Sequence, residues 1–260
     1  MIRIRSAAVL AGALLAAMTL AAGQARAAAE VDRLSLVISG IPTQVKTGDF
    51  NDALDFYNQT ILAPPPRGYE PLPHLGFSWL FDAELRYFVQ RNLALDVGVG
   101  QLRVAEKKEF LPAISEAIDI NAELLTVPVH VGAAYYLPAY NQGDFQARAY
   151  LGAGMVQYTY TRATFQQVLT SPDSVTNAQL GGSYKYTLTQ DSPGYYLELG
   201  AHMFFASRYS VLVSVLYRSG ELRNAFDAST GAPAVDPITQ RPMKLDVGGV
   251  GARMAVGIGL

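Results

Sequence analysis

The sequence predicts an all-β fold, an eight-stranded antiparallel up-and-down transmembrane β-barrel. Three observations support this prediction: segments with alternating side chains recur along the chain, one face of each segment is bulky and apolar, and short and long connections alternate between the segments. Alternation with a period of two is typical of β-strands. A bulky apolar face opposite a small or polar face is typical of a barrel wall in lipid, because a soluble sheet turns its bulky face inward.

The clearest alternation runs from Val250 to Leu260, where an apolar residue or alanine occupies every second position. Glycines, Arg253 and Ala255 lie between them. Seven further segments follow the same scheme, at residues 33–40, 75–89, 93–104, 124–137, 145–160, 184–205 and 209–218. Together the segments predict a closed barrel, in which no strand edge is left unpaired in lipid.

The connections between these segments alternate in length. The short ones are residues 90–92, 138–144 and 206–208, and the long ones are residues 41–74, 105–123, 161–182 and 221–242. Transmembrane barrels have short periplasmic turns and longer extracellular loops. We therefore expect both chain ends and all the short connections on the periplasmic side.

Counting across the short turns predicts the strand register. A three-residue loop at Gln90–Asn92 pairs Val89 with Leu93, which sets Arg86 opposite Asp96 inside the barrel. The same counting across Ala206–Arg208 sets Glu198 opposite Leu216 and diagonal to Arg218, within reach of long side chains.

The two faces of the predicted strands meet different surroundings. The face expected in lipid carries Trp79, Phe81, Leu85, Tyr87, Leu95, Val97, Val129, Val131, Leu151, Leu199, Val213, Val256, Ile258 and Leu260. The inward face carries four acidic and four basic residues: Asp82, Glu84, Asp96, Glu198, Arg86, Arg148, Arg218 and Arg253. An eight-stranded barrel is just wide enough for side chains to fill it. We expect these charges to pair and to plug the lumen, and a narrow polar path or solute site is the alternative.

The N-terminus has the three parts of a secretory signal peptide. Met1–Arg5 is basic, Ala7–Ala22 is apolar, and Ala25-Arg26-Ala27 matches a cleavage site. We therefore expect residues 1–27 to be removed, although an N-terminal anchor helix is an alternative, and residues 28–260 to form one barrel domain. The absence of cysteine excludes disulfides, lipid attachment to cysteine and thiolate metal sites. A net charge of −2 without a basic stretch makes nucleic acid an unexpected partner.

The first long connection predicts a helix from Asp49 as its cap to about Leu62. Phe50, Leu54, Tyr57 and other apolar residues recur on one face, and Pro64–Pro66 ends the helix. We favour a surface helix packed on the loops. The alternative is a lid over the barrel mouth, or a helix in the outer leaflet that admits apolar solutes.

The histidines predict neither a metal site nor a catalytic site. His130 and His202 face inward, His74 precedes the second strand, and no pair has metal-ligand spacing. Ser210 and Ser214 are the nearest serines that a histidine at 202 would need for hydrolytic chemistry, but their spacing is not distinctive. We expect no cofactor, no metal and no enzymatic activity.

Segments such as Leu124–Leu137 and Ala147–Gly154, with the leader and the terminal strand, resemble the outer-membrane β-barrel domain superfamily, which includes small barrels of the OmpA, OmpX and OmpW kinds. The resemblance implies residence in the outer membrane among its lipids, and recognition of the C-terminal strand by the assembly machinery. Such chains commonly end in an aromatic residue, whereas this one ends in Leu260, and no residues remain for a periplasmic domain of the OmpA kind. The superfamily shares no catalytic residues that transfer to this chain.

Three functions remain open from the sequence. The favoured one is an integral outer-membrane barrel with a structural or surface-interaction role, or passage of a small solute, its ligand or extracellular partner being unknown. The second is an outer-membrane enzyme acting on lipid or peptide. The third is a soluble periplasmic, lipocalin-like binder of a small apolar ligand, which would require Leu85, Val129, Leu199 and Val213 to lie in a central core.

Overall fold

The computed structural model describes residues 33–63, 69–113, 116–142, 145–170, 182–205, 208–236 and 239–260. The predicted signal peptide and the three prolines at 64–66 lie outside the described residues. Within these ranges, no helix has both the length and the hydrophobicity needed to cross a membrane.

The described chain is mostly antiparallel β-structure with one short helical segment. The helix α1 is Asp49–Tyr57, and a single π-helical turn, Asn58–Leu62, continues it. The strands are β1 Leu34–Gln44, β2 Phe77–Gln90, β3 Leu93–Ala113, β4 Glu116–Tyr136, β5 Tyr140–Gln142, β6 Phe145–Thr170, β7 Tyr184–Thr189, β8 Ser192–Phe204, β9 Tyr209–Ser219, β10 Glu221–Leu222, β11 Phe226–Asp227, β12 Leu245–Asp246 and β13 Gly249–Gly259.

Eight of these strands close into a ring. The order around it is β1, β2, β3, β4, β6, β8, β9 and β13, and β13 pairs with β1 to complete it. Closure satisfies the backbone N–H and C=O groups within the wall, as lipid requires. The predicted eight-stranded barrel is confirmed.

The two ends of the barrel differ. We call the end with the connections at 91–92, 137–144 and 205–208 the turn end, and the opposite end the loop end. At the turn end the small strand β5 pairs with the start of β6. At the loop end, β10 pairs with β12 and β11 pairs with β7.

Two predicted loops are instead strand. Residues 105–113 and 116–123 continue β3 and β4 as a paired hairpin, and β6 continues to Thr170. The prediction of loops at 105–123 and 161–182 was wrong there, because Lys107, Glu109 and Asp119 made the outward face look like a solvated loop. The inward face keeps the alternation, with Ile118 and Ile120 fully buried. We call residues 103–113, 116–125 and 162–170, together with β7, the strand extension.

The predicted sixth strand is split in two. β7 pairs with residues 162–167 of β6, and β8 pairs with residues 146–158 of the same strand. Between β7 and β8 the chain leaves the sheet at Gln190 and Asp191. The β4–β6 register shifts at the same height, beside Tyr160, whose φ is 52°. Such a left-handed residue in a strand marks a bulge.

The register predictions are confirmed at two places and wrong at one. Arg86 lies opposite Asp96, and Glu198 lies opposite Leu216. Val89, however, does not pair with Leu93: Gln90 does, and the register shifts between Phe88 and Gln90. Val89 is therefore the extra residue of a bulge, which simple counting across the turn cannot detect.

The predicted lipid-facing side chains point away from the barrel axis. Leu199 is 64% exposed and Phe81 62%, whereas Leu85, Tyr87 and Val97 are half-exposed. The others are exposed as well: Trp79, Leu95, Val129, Val131, Leu151, Val213, Val256, Ile258 and Leu260. We call this belt the apolar band.

The outward face changes character where the strand extension begins. Arg103 pairs with Glu123 at 2.6 Å and Lys107 pairs with Asp119 at 3.7 Å, all on the outside of β3 and β4. Charged pairs of this kind are stable in water and costly in hydrocarbon. We therefore expect the loop-side edge of the membrane to lie near Arg103.

Substitutions of Leu199 and Leu111 test this boundary. Both side chains point outward, but Leu199 lies in the apolar band and Leu111 lies on the strand extension. We predict that Leu199→Arg lowers the free energy of unfolding by about 2–4 kcal/mol, since arginine near the bilayer midplane loses its hydration. Leu111 is 72% exposed on the strand extension, and Leu111→Arg should have little effect. Urea unfolding in lipid vesicles, followed by the fluorescence of the single tryptophan, measures both. Equal effects would contradict the position of the boundary.

Candidate functional site

The lumen is filled in three layers. An aromatic layer lies at the turn end, a network of buried charges lies in the middle, and an apolar core lies at the loop end. We call the middle layer the ion-pair network, and its members are Asp82, Glu84, Arg86, His130, Glu198 and Arg253.

The strand alternation places these groups on facing walls. Asp82, Glu84 and Arg86 are successive inward residues of β2, each less than a tenth exposed. Arg253 reaches them from β13, and Glu198 reaches them from β8. Charges from three separate strands thus meet on the barrel axis.

Arg253 is the centre of the network. Its Nη1 lies 3.0 Å from Glu84 Oε2 and 3.2 Å from Glu198 Oε1, and its Nη2 lies 3.3 Å from Asp82 Oδ2. Its Nε donates to Ser39 Oγ at 2.9 Å. One guanidinium therefore binds three carboxylates, and all its nitrogens have partners.

Arg86 forms the second centre. Its Nε donates to Glu84 Oε1 at 2.7 Å, its Nη1 donates to Tyr136 Oη at 2.7 Å, and its Nη2 lies 3.7 Å from Glu198 Oε2. Glu198 also accepts hydrogen bonds from the hydroxyls of Tyr150 and Ser214. Buried charges with this many partners avoid most of the cost of leaving water.

The aromatic layer closes the turn end. Tyr136 lies at its centre, with ring centroids 5.0 Å from Phe88 and 5.2 Å from Tyr150. The rings of His202 and Phe204 lie 3.8 Å apart beside it.

The apolar core closes the loop end, and α1 is part of it. Phe50, Leu54 and Leu62 are almost completely buried. They pack with inward residues of the wall, among them Ile41, Leu80, Leu102, Ile120 and Leu124. The surface-helix interpretation was therefore wrong: the helix lies against the lumen as a lid.

Polar contacts fix this lid. The Tyr57 ring lies 4.9 Å from that of Phe165, and its hydroxyl bonds the side chain of Gln167. The Asn58 side chain bonds both the backbone oxygen and nitrogen of Leu72, at 3.0 and 2.9 Å. Asp49 is not the cap: Gly48 holds that position, and the Asp49 carboxylate accepts from the Lys244 N–H at 2.8 Å.

A small cavity lies between two of the layers in the described part of the barrel. A cavity of about 30 Å³ lies between the ion-pair network and the apolar core, lined by Leu80, Asp82, Glu84, Pro128, His130, Val156, Tyr196, Glu198, Leu216, Arg218 and Arg253. A cavity of this size holds one or two water molecules.

Comparison with known protein families identifies the family of this chain. Residues 8–231 match the family described as outer membrane protein beta-barrel domain. The chain belongs to this family. It is an outer-membrane protein.

Three solved structures are similar to this chain. OprG from Pseudomonas aeruginosa is 15% identical, with a TM-score of 0.46, over 89% of this chain and 98% of its own. Neisserial surface protein A is 12% identical, with a TM-score of 0.40, over 87% of this chain and 97% of its own. The outer membrane protease OmpT from Escherichia coli is 7% identical, with a TM-score of 0.28, over 87% of this chain and 95% of its own. No curated protein matches significantly.

Membership in this family excludes the soluble alternative. Leu85, Val129, Leu199 and Val213 face outward rather than into a central core. The prediction of a possible soluble, lipocalin-like binder was therefore wrong for this outer-membrane barrel.

Three of the predicted lumen charges do not join the network. Asp96 accepts a hydrogen bond from the Tyr196 hydroxyl, although Arg86 lies opposite it in the register. Arg218 contacts Thr43 Oγ1 at 2.7 Å rather than Glu198. Arg148 is only half-buried at the turn end, where it lies 5.1 Å from the Tyr136 ring and donates to the Leu137 carbonyl.

The two inward histidines have different surroundings. His130 joins the network, with Nδ1 3.7 Å from Asp82 and Nε2 3.6 Å from Glu84. These three side chains have ligand atoms within 4.8 Å of one another, but Arg253 already binds both carboxylates. A cation in that place would therefore have to displace the arginine.

The serine–histidine candidates do not assemble. His202 Nδ1 lies 3.0 Å from the Tyr136 hydroxyl, and Ser214 donates to Glu198. On the strands, His202 lies opposite Leu212, whereas Ser214 lies opposite Gly200 and Ser210 opposite Phe204. The described structure thus brings no serine hydroxyl to the imidazole in hydrogen-bonding geometry.

Sequence reasoning missed the neutral members of the site. Ser39, Thr43, Tyr136, Tyr150 and Tyr196 all bond a charged group. Each is an inward residue, so the alternation pointed to all of them except Thr43, which lies beyond the predicted first segment. Register supplied a further signal for Ser39, which lies opposite Asp82.

Glu198→Gln tests whether the network stabilises the barrel. The substitution keeps the shape but removes a charge that faces two buried arginines, so we predict a loss of about 3–5 kcal/mol in the free energy of unfolding. The matched control is Glu123→Gln, which breaks an outward pair and should cost less than about 1 kcal/mol. Urea unfolding in vesicles compares them. If the two variants lose the same stability, the network has no special role.

Proposed function

We propose that this protein is a closed outer-membrane barrel that holds a folded surface platform outside the cell and does not pass solutes. The observation that carries this proposal is the filled lumen of the described residues, where a cavity of about 30 Å³ lies between the network and the apolar core. Of the roles left open by the sequence, the filled lumen favours surface interaction over solute passage.

Two seals of different chemistry lie in series. Carboxylates and guanidiniums bound to one another would have to separate before an ion could pass the network, which is costly inside a barrel. Above them, Leu54, Leu62 and the wall residues form an apolar barrier. An ion crossing that barrier would lose its hydration.

The strand extension has the character of a platform. Its inner face packs into the apolar core through Ile118, Ile120 and Phe165, so it is rigid rather than loop-like. Its outer face presents charged residues, including the Lys107–Asp119 and Arg103–Glu123 pairs. A rigid polar surface of this kind suits recognition of a partner in the extracellular water.

The orientation of the barrel and its assembly concern opposite sides of the membrane. We place the loop end outside, as in other barrels with short periplasmic turns. We also propose that the assembly machinery recognises β13, whose outward residues Val256, Ile258 and Leu260 continue the alternation to the last position.

Planar-bilayer recording tests closure. We predict that the refolded protein gives no steady openings, because the network and the apolar core each block the axis. The double variant Glu198→Ala/Arg253→Ala should stay silent, as should a variant with residues 49–62 replaced by a glycine–serine linker. A variant that combines the double substitution with the linker should conduct ions, since it removes parts of both seals. Steady openings of the unaltered protein would refute the closed barrel, provided that gel migration shows it folded.

Cysteine labelling tests orientation, since the chain has no native cysteine. Lys107 lies on the strand extension with 69% of its side chain exposed, and Arg91 lies in a turn-end connection. We predict that Lys107→Cys reacts with a membrane-impermeant maleimide on intact cells. Arg91→Cys should react only after the outer membrane is permeabilised. The reverse pattern would place the platform in the periplasm and reject the proposed role.

A further inference from the structure

Arg218 is a buried cation whose hydrogen-bonding capacity is mostly unused. It points inward from β9, is 4% exposed, and lines the cavity between the network and the apolar core. Its Nη2 donates to Thr43 Oγ1 at 2.7 Å. Its Nε and Nη1 have no hydrogen-bond partner among the described residues.

The residues directly opposite Arg218 carry no carboxylate. Its direct cross-strand neighbours are Gly249 on β13 and Tyr196 on β8. Thr43, which anchors one edge of the guanidinium, bonds the Val250 carbonyl at 3.2 Å through its own hydroxyl hydrogen. The other edge of the guanidinium is thus left with donors and no acceptor.

The carboxylates that share the cavity belong to other cations. Glu84 and Glu198 are bound by Arg86 and Arg253, and the Asp82 carboxylate lies 3.3 Å from Arg253. The charge of Asp82 acts on Arg218 from a distance without a direct contact. Arg218 therefore differs from Arg86 and Arg253, since neither of those has a free guanidinium nitrogen.

An unpaired buried charge of this kind is costly unless a counter-charge is present. The adjoining cavity is about 30 Å³, and Leu80, Val156 and Leu216 form its apolar walls. The Tyr158 hydroxyl is likewise buried without a hydrogen-bond partner among the described residues. The groups without partners on this side are thus guanidinium N–H donors and a phenol that can donate.

We propose that the cavity binds one small monovalent anion, chloride in size and charge, held by the Nε–H and Nη1–H groups of Arg218. Donors without acceptors, on a full positive charge, suit an anion better than a water molecule, which also needs acceptors for its own hydrogens. The cavity volume excludes larger anions such as phosphate esters. The anion accepts the two guanidinium hydrogen bonds that no described carboxylate accepts.

Crystals grown with sodium bromide test the site directly, because bromide substitutes for chloride and gives an anomalous signal. We expect an anomalous peak within hydrogen-bonding distance of Arg218 Nε and Nη1. Arg218→Met should abolish the peak, whereas Arg148→Met, a change to the half-buried arginine at the turn end, should leave it. Absence of the peak in the unaltered protein, with a water in its place, overturns the proposal.

Solution measurements give a second readout. The urea concentration at the midpoint of unfolding should rise as chloride replaces gluconate at constant ionic strength. The reason is that a ligand that binds only the folded state stabilises that state. Arg218→Met should fold, because it exchanges an unpaired buried charge for an apolar chain of similar length. Its midpoint should not depend on chloride, whereas that of Arg148→Met should. An equal chloride dependence in Arg218→Met overturns the proposal, and this outcome is independent of whether the barrel conducts.

Discussion

Lipid on the outside of a narrow barrel decides what lies inside it. The wall must turn its bulky apolar residues outward, so every second residue is left to face a lumen that has room only for side chains. Polar residues in that lumen cannot be hydrated by bulk water and must satisfy one another. Arg253 is where this constraint is met most fully, since it binds Asp82, Glu84 and Glu198 together.

The same strands serve in two solvents. Along β3 and β4 the apolar residues of the membrane part face outward, among them Val99 and Val129. Beyond Arg103 most of them face inward, with Leu111 as an exception. The reversal leaves the strand period unchanged and exchanges only the chemistry of the two faces. One continuous hairpin can therefore be a membrane wall at one end and a water-soluble sheet at the other, without a hinge between them.

Much of this structure was predictable from the sequence, because the two-residue period is a local property. The eight strands, their lipid-facing residues and the register of Arg86 with Asp96 followed from alternation and turn length alone. Alternation also predicted that Arg218 and Arg148 face inward, but their partners depend on where a long side chain turns after it leaves the wall. The bulge at Val89 was not predicted, because the extra residue leaves the alternation of β2 and β3 intact on either side of it.

Strand ends were the weakest part of the prediction, and the reason is physical. A pattern of charged residues such as Lys107, Glu109 and Asp119 fits both a loop and the wet face of a strand. Only the inward residues distinguish the two, and here they are Ile118 and Ile120. A prediction that recognises strands by their outward apolar residues ends each strand at the membrane edge. The backbone pairing of two strands continues beyond that edge for as long as one face remains apolar.

The helix and the ion-pair network depend on each other. Buried ion pairs are stable only while water is kept from competing for their hydrogen bonds, and the apolar core with α1 excludes water from the loop end. In turn, the network joins the walls β2, β8 and β13, which fixes the mouth that the helix covers. The lid therefore strengthens the ion-pair network of a barrel with so many charges on its axis. A barrel with an apolar or open lumen would have no need of it, which is why α1 and the closed lumen are best understood as one feature.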